Sequence, residues 1–250
     1  MLSQNVARTA KSFHLAVSEF VAFLRRPDVR SHNELLVREK AGIGIGLFVL
    51  SIIVTMIFGM LGLPLILSTD LTTGEKLNDV LGSSIWSVVL SVVILGPLVE
   101  EIIFRGWLTG TWRSVLASAF SLAAIYGGAA LLDPYPVVGD AIKTLVLVGG
   151  AIAIFVAFLP LDKTRHISGF DRIFPIIFYA QAVAFGILHF QNFAASSLAV
   201  ALFATLPLVA CGLIWGYARV RLGLASAVIL HAAYNLPAAV GSMVMLHFAV

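Results

Sequence analysis

The chain has 250 residues, 60% of them hydrophobic and 12% charged, with a mean hydropathy of +1.00. Soluble domains of this length run at about 45–50% apolar and about 25% charged, so a water-soluble fold is excluded and the surplus apolar surface must face lipid. The net charge of +3 does not mark a nucleic-acid binder, because the basic residues sit in short segments between apolar runs.

Residues 1–40 differ from everything that follows. Val6, Ala10, Phe13, Val17, Phe20 and Leu24 recur at alternating steps of four and three, which is one stripe of an amphipathic helix, and Arg25-Arg26-Pro27 ends it. Such a helix either lies on an anionic membrane surface or packs against the rest of the protein, and its periodicity serves both. No apolar core precedes a small-residue cleavage site here, so no secretory signal peptide is expected and the first spanning helix directs insertion.

Long apolar runs follow at about 41–67, 84–106, 114–132, 141–160, 173–193, 197–217 and 223–246, each near the roughly 20 residues that cross a bilayer. The expected fold is all-α: a polytopic transmembrane bundle of about seven spanning helices plus the N-terminal amphipathic helix. Residues 41–250 then form one membrane-embedded domain. With the N-terminus cytoplasmic, every Lys and Arg except Lys76 and Lys143 falls on the inner side, as the excess of basic residues in cytoplasmic loops requires. The lone cysteine, Cys211, lies within an apolar run and cannot form an intrachain disulfide.

Ionisable residues inside apolar runs are costly, at roughly 2.5–3.5 kcal/mol each on insertion scales, and therefore mark function. In LGPLVEEIIFRG (95–106), Pro97 removes a backbone donor just before two acids and can loosen the helix there. Glu101 and Arg105 stand four apart on one face and can pair, whereas Glu100 points about 100° away with no partner on its own helix. FGILH (185–189) sets Phe185 and His189 on one face. HAAYN (231–235) does the same for His231 and Asn235, two groups able to donate hydrogen bonds to a single point. Each signal alone also fits helix packing or a helix-end cluster. Together, a glutamate, two histidines and an asparagine constitute a general base and an oxyanion-binding set.

These three motifs, in this order, resemble those of the CPBP intramembrane endopeptidases, the family of the type II CAAX prenyl proteases and of relatives linked to bacteriocin processing and immunity. The resemblance covers residues 84–246. It implies an endopeptidase in which Glu100 activates the attacking water and His189 holds and polarises it. His231 and Asn235 would stabilise the oxyanion, while Glu101 and Arg105 take a structural part beside Phe185. It further implies a peptide or protein substrate, prenylated or membrane-associated, in the plasma membrane of a bacterium. The family's Glu and His residues have suggested zinc, which here would fall to Glu100, His189 and His231. A metal-free mechanism is favoured, because only one carboxylate converges with two histidines and the H-E-x-x-H spacing of zinc helices is absent. The other readings are a non-catalytic peptide-binding or immunity protein and a proton-linked transporter, the latter disfavoured by the lack of paired half-repeats.

Two features depart from the family pattern. Glu100 and His189 are farther apart in sequence than the corresponding motifs usually are, which suggests an inserted helix pair at 114–160. By the boundaries above, His189 also lies about sixteen residues, or about 24 Å, from the inner end of its helix, whereas Glu100 lies near the inner end of its own. The two then meet only if Arg172–Pro175 sit deep in a water-filled cavity, or if a boundary or the topology differs from this reading.

Overall fold

A computed structural model describes residues 2–29, 35–68, 72–74, 84–134, 140–194 and 198–248. The side chains of Val6 and Ala10, and residues Arg30 and Lys76, lie outside what is described. Helix α1 is Leu2–Arg25 and α2 is Val37–Leu67. Strand β1, Thr72–Thr73, is followed by a helical rod in three parts: α3 (Ile85–Val88), a π-helical stretch (Val89–Leu95) and α4 (Gly96–Arg105). Then come α5 (Trp112–Leu132), α6 (Asp140–Phe158) and α7 (Phe170–Leu188), a 3-10 turn at His189–Asn192, and strand β2 at Phe193–Ala194. Helices α8 (Leu198–Leu222) and α9 (Leu224–Phe248) complete the bundle.

Six of these segments are long and apolar enough to cross a membrane, among the described residues. The seventh expected span, 141–160, is α6, whose described apolar stretch Ile142–Phe158 is shorter than the other six. It pairs with α5 as a hairpin: Ser121 donates to the Ala151 carbonyl at 2.8 Å, and Phe120 stacks on Phe158. The hairpin joins the bundle through α4, where Ser118 donates to the Ile102 carbonyl at 2.8 Å and Ile102, Ala117 and Phe155 form a small core. The main core lies between α1, α2, α7 and α8, around Leu47, Phe174, Phe178, Phe185, Ile214 and Trp215.

Helix α1 packs on the bundle. Phe20 and Phe23 are buried against the Tyr217 ring, Phe23 also meets Phe178 edge-on, and the Tyr217 hydroxyl donates to Glu19 at 3.1 Å. Arg221 reaches the same carboxylate at 3.3 Å, and Tyr179 donates to the Leu24 carbonyl. Of the two roles open to the amphipathic stripe, the structure supplies the packed one for its C-terminal half. Between α8 and α9 the chain turns on Gly223 alone, at φ +103, a left-handed conformation that a Cβ disfavours.

Two segments outside the spanning helices differ from expectation. The loop after α2 pairs β1 antiparallel with β2, Thr72 against Ala194 and Thr73 against Phe193, and the Gly74 amide donates to the Asn192 carbonyl at 2.8 Å. This clasp sits directly on the turn that carries His189. At the other end, the chain does not leave the bundle after Arg105. Gly106–Thr111 runs beside the start of α7, with the Ile167 amide donating to Gly110 at 2.9 Å and Leu108 fully buried.

Docking of α1 through an aromatic contact makes a test. Phe23→Ala should cost about 3 kcal/mol, as truncation of a buried Phe does, and should expose the segment after Arg25 to limited proteolysis in detergent. Leu15→Ala, at a side chain 48% exposed, should leave both the melting temperature and the digestion pattern unchanged.

Candidate active site

Helices α4, α7 and α9 bring the motif residues together. Glu101 and Arg105 are both fully buried, and Arg105 donates to Glu101 Oε1 along one helical face. The same oxygen accepts a second bond, from His231 Nδ1 at 3.0 Å. The expected pairing is therefore present, but it extends across to α9 and holds a histidine as well. Arg105 is also wedged against aromatic faces, 4.2 Å from the Phe185 ring centroid and 5.6 Å from that of Trp215. It is buried within the protein, at the last residue of its candidate span.

Glu100, on the adjacent face, points elsewhere. Its Oε2 lies 3.6 Å from His189 Nε2 and 3.8 Å from His231 Nε2, and makes no hydrogen bond within the protein. Both imidazoles are tied back through the opposite nitrogen. His231 Nδ1 donates to Glu101, and His189 Nδ1 donates to the Phe185 carbonyl at 2.7 Å. A carbonyl oxygen can only accept, so His189 Nδ1 carries a hydrogen and its Nε2 is the atom turned toward Glu100.

The expected depth difference of about 24 Å is overturned. His189 is not inside a helix but caps the end of α7 and opens the 3-10 turn, so its ring folds back over Phe185 at 4.4 Å and satisfies a carbonyl of the last helical turn. Side chains on a helix lean toward its N-terminus. Glu100 leans back toward Gly96 in the same way, to 3.9 Å from where a Cβ on that glycine would stand. On oppositely directed helices these leanings bring the two side chains together. The inward run of Gly106–Thr111 supplies the rest, because Glu100 lies farther from that end of the bundle than the limit near residue 106 implied.

Asn235 lies one turn beyond His231 and donates from Nδ2 to the Val92 carbonyl, in the π-helical stretch, at 2.9 Å. The loosened backbone expected before the acids is thus a register change ahead of Pro97, where the Gly96 amide bonds back to the Ser91 carbonyl. A cavity of about 820 Å³ opens from Glu100 and His189 between α4, α5 and α7, past Phe104, Ala180 and Ile177 toward Trp107.

The family described as type II CAAX prenyl endopeptidase, Rce1-like, matches residues 82–237. The chain belongs to that family. Neither a curated protein nor a solved structure gives a match. Family membership and the six spanning helices make this Rce1-like protein a multi-pass integral membrane endopeptidase acting on a peptide or protein.

Two residues around the Rce1-like site escaped the sequence reading. Trp215 lies flat on His231, with ring centroids 4.0 Å apart and 23° between planes, and closes the face of that imidazole away from solvent. Trp215 stands two residues from the end of its apolar run, where a tryptophan reads as an ordinary interfacial residue, so no signal in the sequence marked it. Arg219, read as a loop charge, belongs to α8 and donates to the carbonyls of Arg105 at 2.9 Å and Gly106 at 3.0 Å. It thereby caps the end of the motif helix with a cation.

The zinc alternative would draw on Glu100, His189 and His231, with the two Nε2 atoms 3.6 and 3.8 Å from Glu100 Oε2. Among the described residues, no group of three His, Cys, Asp or Glu has metal-holding geometry.

Because Arg105 and Glu101 are both dry, Arg105→Ala should destabilise the protein rather than merely slow it, by about 3–5 kcal/mol, the usual cost of stranding one partner of a buried pair. An unchanged melting temperature in detergent would show that the carboxylate finds other compensation.

Proposed function

We propose that this chain hydrolyses a peptide bond with a water held between Glu100 and His189 and no metal. The observation that carries the reading is Glu100 Oε2, unbonded and facing the Nε2 atoms of two histidines whose Nδ1 atoms are already committed. A water there donates one hydrogen to Glu100 and the other to His189 Nε2, leaving a lone pair for the carbonyl carbon. Glu100 takes the proton as the C–O bond forms, and returns it to the departing nitrogen as the C–N bond breaks. The oxyanion is met by Asn235, through the N–H not used on Val92, and by His231 Nε2–H. Since His231 Nδ1 also donates, this role uses a hydrogen on each ring nitrogen, and Glu100 and Glu101 together balance Arg105 and His231.

The substrate we infer is a peptide carrying an isoprenyl chain. The cavity's volume of about 820 Å³ and walls of Ile, Phe, Ala and Leu side chains suit an apolar chain lying beside a scissile bond at Glu100. Residues 1–40 would form the cytoplasmic and interfacial segment and 41–250 the protease domain, with 114–160 an inserted hairpin, in a bacterial plasma membrane. The distribution of Lys and Arg supports the orientation.

Purified protein in liposomes should cleave a fluorogenic peptide bearing an isoprenylated cysteine. Glu100→Gln should lower kcat by at least 10²–10⁴, the range for a general base, while binding and the melting temperature persist. Wild-type protein that binds such peptides without cleaving them would favour a peptide-capturing role.

Elemental analysis of chelator-washed, active protein should find less than one zinc per chain. Stoichiometric zinc, with activity lost on its removal and restored on its return, would overturn the metal-free mechanism.

A further inference from the structure

The contact between Asn235 and Val92 depends on a proline. In an α-helical register the Val92 carbonyl would accept from the amide four residues on, Gly96; in a π register, from the amide five residues on, position 97. Both donors are removed. The Gly96 amide is committed to Ser91, and residue 97 is proline, which has none. The Val92 carbonyl is therefore left over by its own helix at the level of α9, and Asn235 Nδ2 bonds it at 2.9 Å. An unpaired carbonyl in this part-buried place within a membrane-spanning bundle would be costly.

We propose that Pro97 is a positioning residue for the reaction: by denying Val92 a backbone donor, it fixes the Asn235 amide so that its second N–H faces the oxyanion. A primary amide has two hydrogens on one planar nitrogen, so anchoring one sets the direction of the other. Pro97 is itself buried in α4, three residues before Glu100, and its side chain has no polar atom to offer a substrate. The inference rests on the reading of Asn235 as an oxyanion donor.

Pro97→Ala tests it, because an alanine N–H at that position can reach the Val92 carbonyl and compete with Asn235. With the fluorogenic isoprenylated peptide, kcat should fall about tenfold, a fraction of the 10²–10³ that follows outright loss of an oxyanion donor. KM should not change, since the contact forms only in the transition state. In an Asn235→Ala background, Pro97→Ala should produce no further loss, because the two residues act through one bond. Pro97→Gly, which also restores an N–H, should behave alike, and both variants should elute and melt as folded protein.

Wild-type kcat in Pro97→Ala, with Asn235→Ala nearly inactive, would overturn the positioning role and leave Asn235 as oxyanion donor. So would an equal loss from Pro97→Ala with and without Asn235, or failure of both proline variants to fold, since Pro97 would then hold the helix and not the amide. Full activity in Asn235→Ala would instead remove the oxyanion reading, and the positioning role with it.

Discussion

One carboxylate oxygen organises the site. Glu101 Oε1 receives Arg105 from its own helix and His231 from α9, in a place with no solvent exposure. A buried ion pair is a weak source of stability in itself, because desolvation offsets much of the attraction. Its value here is directional. Arg105 prevents Glu101 from turning toward the cavity, Glu101 sets which nitrogen of His231 faces Glu100, and Trp215 holds the ring plane. Adjacent glutamates on one helix thus acquire different chemistry from the 100° between them: both leave Oε2 without a donor, but Glu101 is anchored through Oε1 by Arg105 and His231, whereas Glu100 Oε2 faces two imidazoles.

The same economy appears at each helix end that meets the site. His189 caps the last turn of α7 with Nδ1 and so frees Nε2. Arg219 caps α4, and Asn235 satisfies a carbonyl that the π register releases. Inside a lipid-embedded bundle, backbone groups must be satisfied by protein. In this site the side chains that satisfy them are, or adjoin, those proposed to handle the substrate. Orientation and backbone satisfaction are one requirement, which explains why a helix terminus, a π segment and a proline cluster within a few turns of Glu100.

Much of this was legible in the residue pattern. Apolar run length marked the spanning helices because a bilayer imposes a minimum length on a helix. The spacing of four joined Glu101 to Arg105 because that spacing is a local geometric fact. What the pattern could not supply were relations between helices: that Glu101 also takes His231, that Trp215 covers it, and that Arg219 reaches back to α4. Two local features were missed for other reasons. The end of α7 at Leu188 has no Gly or Pro to announce it, since His189 itself does the capping. The depth of Glu100 was misjudged because Gly106–Thr111, which reads as a polar exit loop, remains partly buried against α7.

The claim that Glu101 orients His231 for chemistry at Glu100 is most directly tested by nitrogen-15 spectra of histidine-labelled protein in nanodiscs, with His231 assigned by its loss in His231→Gln. The account predicts a protonated Nδ1 on His231 whose resonance moves when Glu101 is replaced by Gln and stays in place when Glu100 is replaced. An unprotonated Nδ1, or one indifferent to Glu101, would contradict it.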